Sequence, residues 1–287
     1  MSAVLSQLVL GLINGSFYAL LSLGLALIFG LMNIVNFAHG ALFMLGGLAA
    51  WWLLAVAGLG YGWALLLAPL SVGVLSALIE VGLIRRLRQL DPLYGLLLTF
   101  GLAILIQAVV TMKYGSSGQP YPVPSFLTGA DNLGFMFLPR YRAWVILVSI
   151  VVCASVWVVI EKTRLGSYLR AAAENPRLLE AFGVAVPRLI TLTYAFGGAL
   201  AAFAGVLAAP IYQVNPLMGA NMIIVVFAVV AVGGMGSIGG SIITGFALGI
   251  AEGFTKVFYP QASSTVIFVI MALVLLVRPR GLFGREA

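Results

Sequence analysis

The sequence predicts an all-α, polytopic transmembrane helical bundle of about eight spans with broken or half-helices between them. Three observations carry that expectation. The 287 residues are 62% hydrophobic and only 8% charged, with a mean hydropathy of +1.14, far from the composition of water-soluble domains. Apolar windows recur near 5–30, 41–57, 63–84, 93–112, 143–160, 189–209, 221–232, 241–256 and 262–277, and most approach the roughly 20 residues that cross hydrocarbon. The basic residues cluster between the windows or at their ends, where membrane-flanking anchors belong.

The first 30 residues contain no Lys or Arg and stay apolar from Leu5 to Leu31, so they lack the basic start of a secretory signal and are expected to remain as a span. The window from Asn221 to Val232 is short: 12 residues reach only about 18 Å at about 1.5 Å per residue, which predicts a half-helix. The whole chain, 1–287, is expected to form a single transmembrane domain, with an outer loop at about 113–142 and an inner loop at about 161–188. The outer loop holds Gly115, Gly118, Pro120, Pro122, Pro124 and Gly129, the composition of a turn-rich cap without long helices.

Orientation follows from the basic residues, which collect on cytoplasmic ends. Arg85, Arg86 and Arg88 mark one such end, and crossing from there assigns 11 basic residues to the inside and 4 (Lys113, Arg140, Arg142 and Lys256) to the outside. The C-terminus is thereby expected in the cytoplasm, and the N-terminus outside if the window near 41–57 crosses fully. The net charge of +7 has no interleaved aromatic platform and points to anchoring at a membrane, not to nucleic acid. The lone Cys153 sits in an apolar run with no disulfide partner and is expected to be an inert core residue.

Several chemistries are excluded by what the sequence lacks. None of the three lysines has the Gly before and the Ser or Thr after that a nucleotide-cradling P-loop requires, so this chain is not expected to hydrolyse ATP. Gly234-Met235-Gly236-Ser237-Ile238-Gly239 matches the dinucleotide fingerprint. The nearest downstream acid, Glu252, is only 13 residues past Gly239, and no strand and helix alternation surrounds it. No second His or Cys lies near His39 at metal-ligand spacing. The groups that an intramembrane enzyme would need, His39, Glu80, Glu252 and Cys153, fall in separate segments, and Glu252 is accounted for as an i,i+4 partner of Lys256.

Two interruptions of the apolar helices remain. Between Asn33 and Gly40, two amides (Asn33, Asn36), the only histidine (His39) and a glycine break the first two windows. Between Gly233 and Gly240, five glycines (Gly233, Gly234, Gly236, Gly239 and Gly240) cannot hold a stable helix and free backbone groups that lipid cannot satisfy. Breaks of this kind mark a binding site or a route through the membrane, so Asn33, Asn36, His39, Gly40, Gly233, Gly234, Gly236 and Gly239 are the candidate pathway residues. Capping of the second helix is the alternative for Asn33 and Asn36. Gly236, Gly240, Ser241, Gly245, Gly249 and Gly253 also form a small-residue stripe suited to close helix packing.

The inner loop holds a further signal. In Arg170 to Val184, Asn175 is expected as N-cap, Pro176 at the first helical position and Gly183 as the stop, giving a helix of about two turns. Leu178, Ala181 and Phe182 share one face and form an apolar knob suited to a partner's groove, with Arg177 and Glu180 elsewhere; a solvated connector or a helix lying on lipid headgroups is the alternative.

Five blocks now align in order along the chain: Asn14-Gly15-Ser16-Phe17-Tyr18-Ala19-Leu20, Asn36-Phe37-Ala38-His39-Gly40, the Arg170 to Val184 segment, Gly233-Gly234-Met235-Gly236-Ser237-Ile238, and Arg278-Pro279-Arg280-Gly281-Leu282-Phe283-Gly284. Together they resemble the permeases of high-affinity branched-chain amino-acid ABC transporters. The resemblance implies an importer subunit of the bacterial cytoplasmic membrane, partnered by a second related permease, two ATP-binding cassette subunits that use ATP and Mg, and a periplasmic or extracellular substrate-binding protein. It implies no cofactor in this chain. It also makes the short helix a coupling helix, with Glu174, Asn175, Arg177, Leu178, Ala181, Phe182 and Gly183 as the residues that meet the ATPases. Relatives of such permeases carry urea, short amides or aromatic acids, and broken helices alone would also suit a stand-alone channel or secondary carrier.

Overall fold

The computed structural model describes residues 2–87 and 90–284, so Arg88 and Arg285, counted above as inner anchors, lie outside the described residues. Helix α1 spans Ser2–Met32, α2 Ala38–Ala55 and α3 Tyr61–Ile79; α3 runs on through a π-turn at Glu80–Ile84 and a single turn at Arg85–Leu87. Next come α4 (Pro92–Tyr114), α5 (Arg140–Lys162), α6 (Arg164–Glu174), α7 (Pro176–Ala181), α8 (Val186–Tyr212), α9 (Met218–Gly233), α10 (Ile238–Phe258) and α11 (Val266–Val277). Among the described residues, seven helices are long and apolar enough to cross a bilayer, and α9 and α11 are shorter apolar helices. The chain is an all-α polytopic bundle.

Local sequence sets most of the ends. Asn33 takes a left-handed conformation (φ 52°) and stops α1, its N–H bonding the Phe29 carbonyl at 2.8 Å. Asp91 caps α4 by accepting from the Leu93 amide at 2.9 Å, with Pro92 in the first turn. The half-helix expected at 221–232 begins earlier, at Met218, because Asn215 accepts from the Leu217 amide and sets the turn there. Its 16 residues reach about 24 Å, still short of the roughly 30 Å hydrocarbon core. The outer loop has a 3-10 turn at Ser125–Leu127 and a small antiparallel hairpin, β1 (Ala130–Asn132) with β2 (Phe137–Pro139).

The chain divides into two compact units. The first comprises Met1–Leu23, Pro122–Ser155 and Ile224–Ala287, the second Gly24–Tyr121 and Val156–Ile223. In the first unit the small-residue stripe of α10 lies directly on α1: Gly245 meets Ala19, Gly249 meets Gly11 and Gly15, and Gly253 meets Gln7 and Gly11. Backbones this close leave no room for a side chain, the packing that membrane helices use in place of a hydrophobic driving force. At one end of this unit the Ser6 hydroxyl donates to the Phe135 carbonyl of the outer loop at 3.4 Å. Buried among its helices, Glu252 accepts from the Tyr18 hydroxyl at 2.7 Å, from the Asn14 amide at 3.3 Å and from Lys256 at 2.6 Å.

In the second unit α8 packs along α2 and α3, again through small residues: Gly46 meets Ala202, Gly205 meets Phe43, and Gly198 meets Ser76. The outer-loop segment of this unit is tied down by the paired Gln119 and Val214 backbones and by the edge-on rings of Tyr61 and Tyr121.

Candidate functional site

The sequence-predicted site residues fall into three places. The Asn33–Gly40 break and the α6–α7 segment belong to the second unit, and the Gly233–Gly240 break to the first.

At the first break α1 and α2 are separated by four non-helical residues and a turn at Phe37. Thr99 of α4 holds the connection, its hydroxyl accepting from the Phe37 amide at 3.2 Å and donating to the Val35 carbonyl at 3.1 Å. Asn33 is exposed and serves as the stop of α1. Neither asparagine caps α2 with its side chain, since the residue before that helix is Phe37 and no side-chain cap is made. Asn36 is 1% exposed and His39 is fully buried. The His39 ring packs against Gly24, and Gly40 meets the Gly219 backbone.

At the second break α9 ends at Gly233 and α10 starts at Ile238, with Gly234 (φ 97°) and Gly236 (φ 84°) in conformations that favour glycine. Ser237 caps α10, accepting from the Gly240 amide at 3.2 Å. The carbonyls at the end of α9 are claimed by the chain's own last segment: Leu282 N–H donates to the Val232 oxygen at 2.8 Å and Phe283 N–H to the Gly233 oxygen at 3.2 Å. Gly281 (φ 80°) nestles against Gly234, so a Cβ there would come within 2.5 Å of the Gly234 nitrogen. The Arg278–Gly284 block thus closes the glycine break.

The third place matches its sequence signals closely. Asn175 accepts from the Leu178 amide at 3.0 Å, Pro176 opens α7, and Gly183 with φ 84° ends it. Leu179 is buried against the bundle, whereas Leu178 is 54% and Phe182 76% exposed. Glu174, Arg177 and Ala181 are exposed as well.

Two features went unread in the sequence. Glu80, fully buried in the π-turn, is bridged by Arg85 at 2.9 Å and accepts from the Thr191 hydroxyl at 2.7 Å, and Arg85 also donates to Thr191 at 2.5 Å. One turn further along α8, Tyr194 is 1% exposed and its hydroxyl neighbours the Asn36 amide.

Comparison with known proteins decides the family. Residues 7–276 match the profile of the branched-chain amino acid transport system permease component. The chain belongs to this permease family. It is 34% identical over 294 residues to the high-affinity branched-chain amino acid transport system permease protein BraD of Pseudomonas aeruginosa, covering 98% of this chain and 96% of BraD. It is 31% identical over 296 residues to LivH of Escherichia coli K12, with the same coverage. To LivH of Methanocaldococcus jannaschii it is 27% identical over 293 residues, covering 95% and 90%. No solved structure matches.

The blocks that carried the resemblance now have physical roles in the permease. Asn14 and Tyr18 hold Glu252, and Gly15 admits the Gly249 backbone. The glycine block and the C-terminal block are two halves of one closed turn.

Proposed function

We propose that this permease is the membrane subunit of an ABC importer of the bacterial cytoplasmic membrane and moves branched-chain or other neutral, hydrophobic amino acids delivered by a soluble binding protein. The names of its relatives support that solute class. ATP and Mg are used by two partner ATPase subunits, a second related permease completes the pathway, and the whole chain, 1–287, acts as one permease domain. The C-terminus lies in the cytoplasm, on the side that holds 11 of the 15 basic residues. The bond between Ser6 and the outer loop supports an N-terminus on the opposite side.

One observation carries the coupling assignment: a capped two-turn helix whose exposed tip is Leu178 and Phe182. An ATPase groove that takes this knob moves α7, and α8 begins only a few residues later. A charge at Phe182 would be buried unpaired in such a groove. Phe182→Asp is therefore expected to insert and assemble normally while abolishing stimulation of ATP hydrolysis by loaded binding protein; full stimulation with normal assembly would remove the assignment. Uptake continuing in vesicles with neither ATP nor ATPase subunits would favour a stand-alone carrier. Calorimetry on the cognate binding protein separates amino acids from urea, short amides and aromatic acids.

A further inference from the structure

Two deeply buried polar residues of the second unit lie beside each other, one at a helix break and one on a helix. Asn36 sits at the break before α2 and Tyr194 in the first half of α8, each 1% exposed. The Asn36 amide and the Tyr194 hydroxyl interact with each other without full hydrogen-bond geometry, and neither has a hydrogen-bond partner outside the pair. Leaving a buried donor or acceptor unsatisfied is costly, and proteins rarely tolerate it. Ser149, Trp144 and Thr244 leave one atom each; two adjacent side chains whose polar atoms have only each other are a different case, a place where another molecule's polar group belongs in some stage of the cycle.

We propose that Asn36 and Tyr194 together form the contact point for the polar head group of a small solute that is neutral overall, an amino-acid zwitterion, as it crosses the permease. This rests on the transport reading above and names the residues that meet the solute. The chemistry fits: the Asn36 carbonyl accepts from an ammonium, while its NH2 and the Tyr194 hydroxyl donate to a carboxylate. The Glu80–Arg85 pair, bonded to Thr191 one turn before Tyr194, is internally neutralised and offers no net charge to a charged solute.

The same neighbourhood is built to part. Gly40, four residues after Asn36, meets Gly219, and Gly197, three after Tyr194, meets Gly24. Helices that touch backbone to backbone have no interlocking side chains to unseat when they separate. Thr191, one turn before Tyr194 on α8, is bonded into the Glu80–Arg85 pair, so a displacement of α8 carries the hydroxyl and the ion pair together.

The test uses the assembled transporter in lipid vesicles, with its partner subunits and binding protein, and radiolabelled L-leucine as probe. Tyr194→Phe and Asn36→Leu are expected to lower the leucine moved per ATP hydrolysed by about tenfold, the loss expected for one charge-assisted hydrogen bond. The thermal midpoint of Tyr194→Phe is expected to stay level or rise, because the hydroxyl's one contact at rest, with the Asn36 amide, lacks full hydrogen-bond geometry. Unchanged leucine per ATP in both variants, or a midpoint lowered by several degrees in Tyr194→Phe, overturns the proposal. A second arm does not depend on the solute: Tyr194→Cys in a Cys153→Ala background should be protected at rest and labelled by a water-soluble trimethylammonium thiosulfonate during ATP turnover. Protection in every state overturns the proposal too. If the unaltered transporter moves no leucine, the branched-chain reading falls and the labelling alone decides.

Discussion

The two helix breaks of this permease look alike in sequence and differ in what they leave unsatisfied. At Gly233–Gly240 the exposed groups are main-chain ones, and the Arg278–Gly284 segment and the Ser237 cap supply their partners. At Asn33–Gly40 the main chain is held by Thr99, and the group left with incomplete hydrogen bonding is the Asn36 side-chain amide. A break closed by the chain itself is architecture. One that keeps side-chain polarity open inside an apolar bundle has capacity left for a guest.

Substitutions that separate the two kinds of break follow, and the largest effect belongs to the closed one. Gly281→Val forces a branched side chain into a left-handed conformation and against the Gly234 backbone, so a loss of several kcal/mol and failure to accumulate in the membrane are expected. Wild-type levels of folded Gly281→Val, measured by fluorescence-detected size exclusion, would mean that the C-terminal clasp is dispensable. Ser237→Ala removes the α10 cap and is expected to cost about 1 kcal/mol, seen as a thermal midpoint a few degrees lower with leucine uptake per folded molecule unchanged. Should uptake per molecule fall as well, the glycine break has a share in the pathway. Smallest is Asn33→Gly: the residue is exposed and left-handed, so glycine should change stability by only a few tenths of a kcal/mol and leave uptake intact. A marked transport defect there would move solute contact from Asn36 out to Asn33.

The parts that were legible in the sequence are those written locally. Asn175, Pro176 and Gly183 each act within a turn of themselves, so α7 could be read to the residue, and long apolar windows announce spans because lipid demands length. The start of α9 was displaced because hydropathy marks where grease begins, whereas the Asn215 turn marks where the helix does. Tyr194 stayed hidden because one phenol in an apolar run has no local pattern; only the fold brings Asn36 beside it. The Glu80 carboxylate is likewise bound by Thr191, which lies 111 positions away in the chain.

The clasp on α9 also bears on how the molecule is made. The Val232 and Gly233 carbonyls leave the ribosome about fifty residues ahead of the Leu282 and Phe283 amides that satisfy them. Until those amides arrive, the end of α9 must borrow partners from water, headgroups or the insertion machinery. The newborn permease therefore stays unlatched through the whole insertion of α10 and α11, and truncation anywhere before residue 282 should strand it in that state.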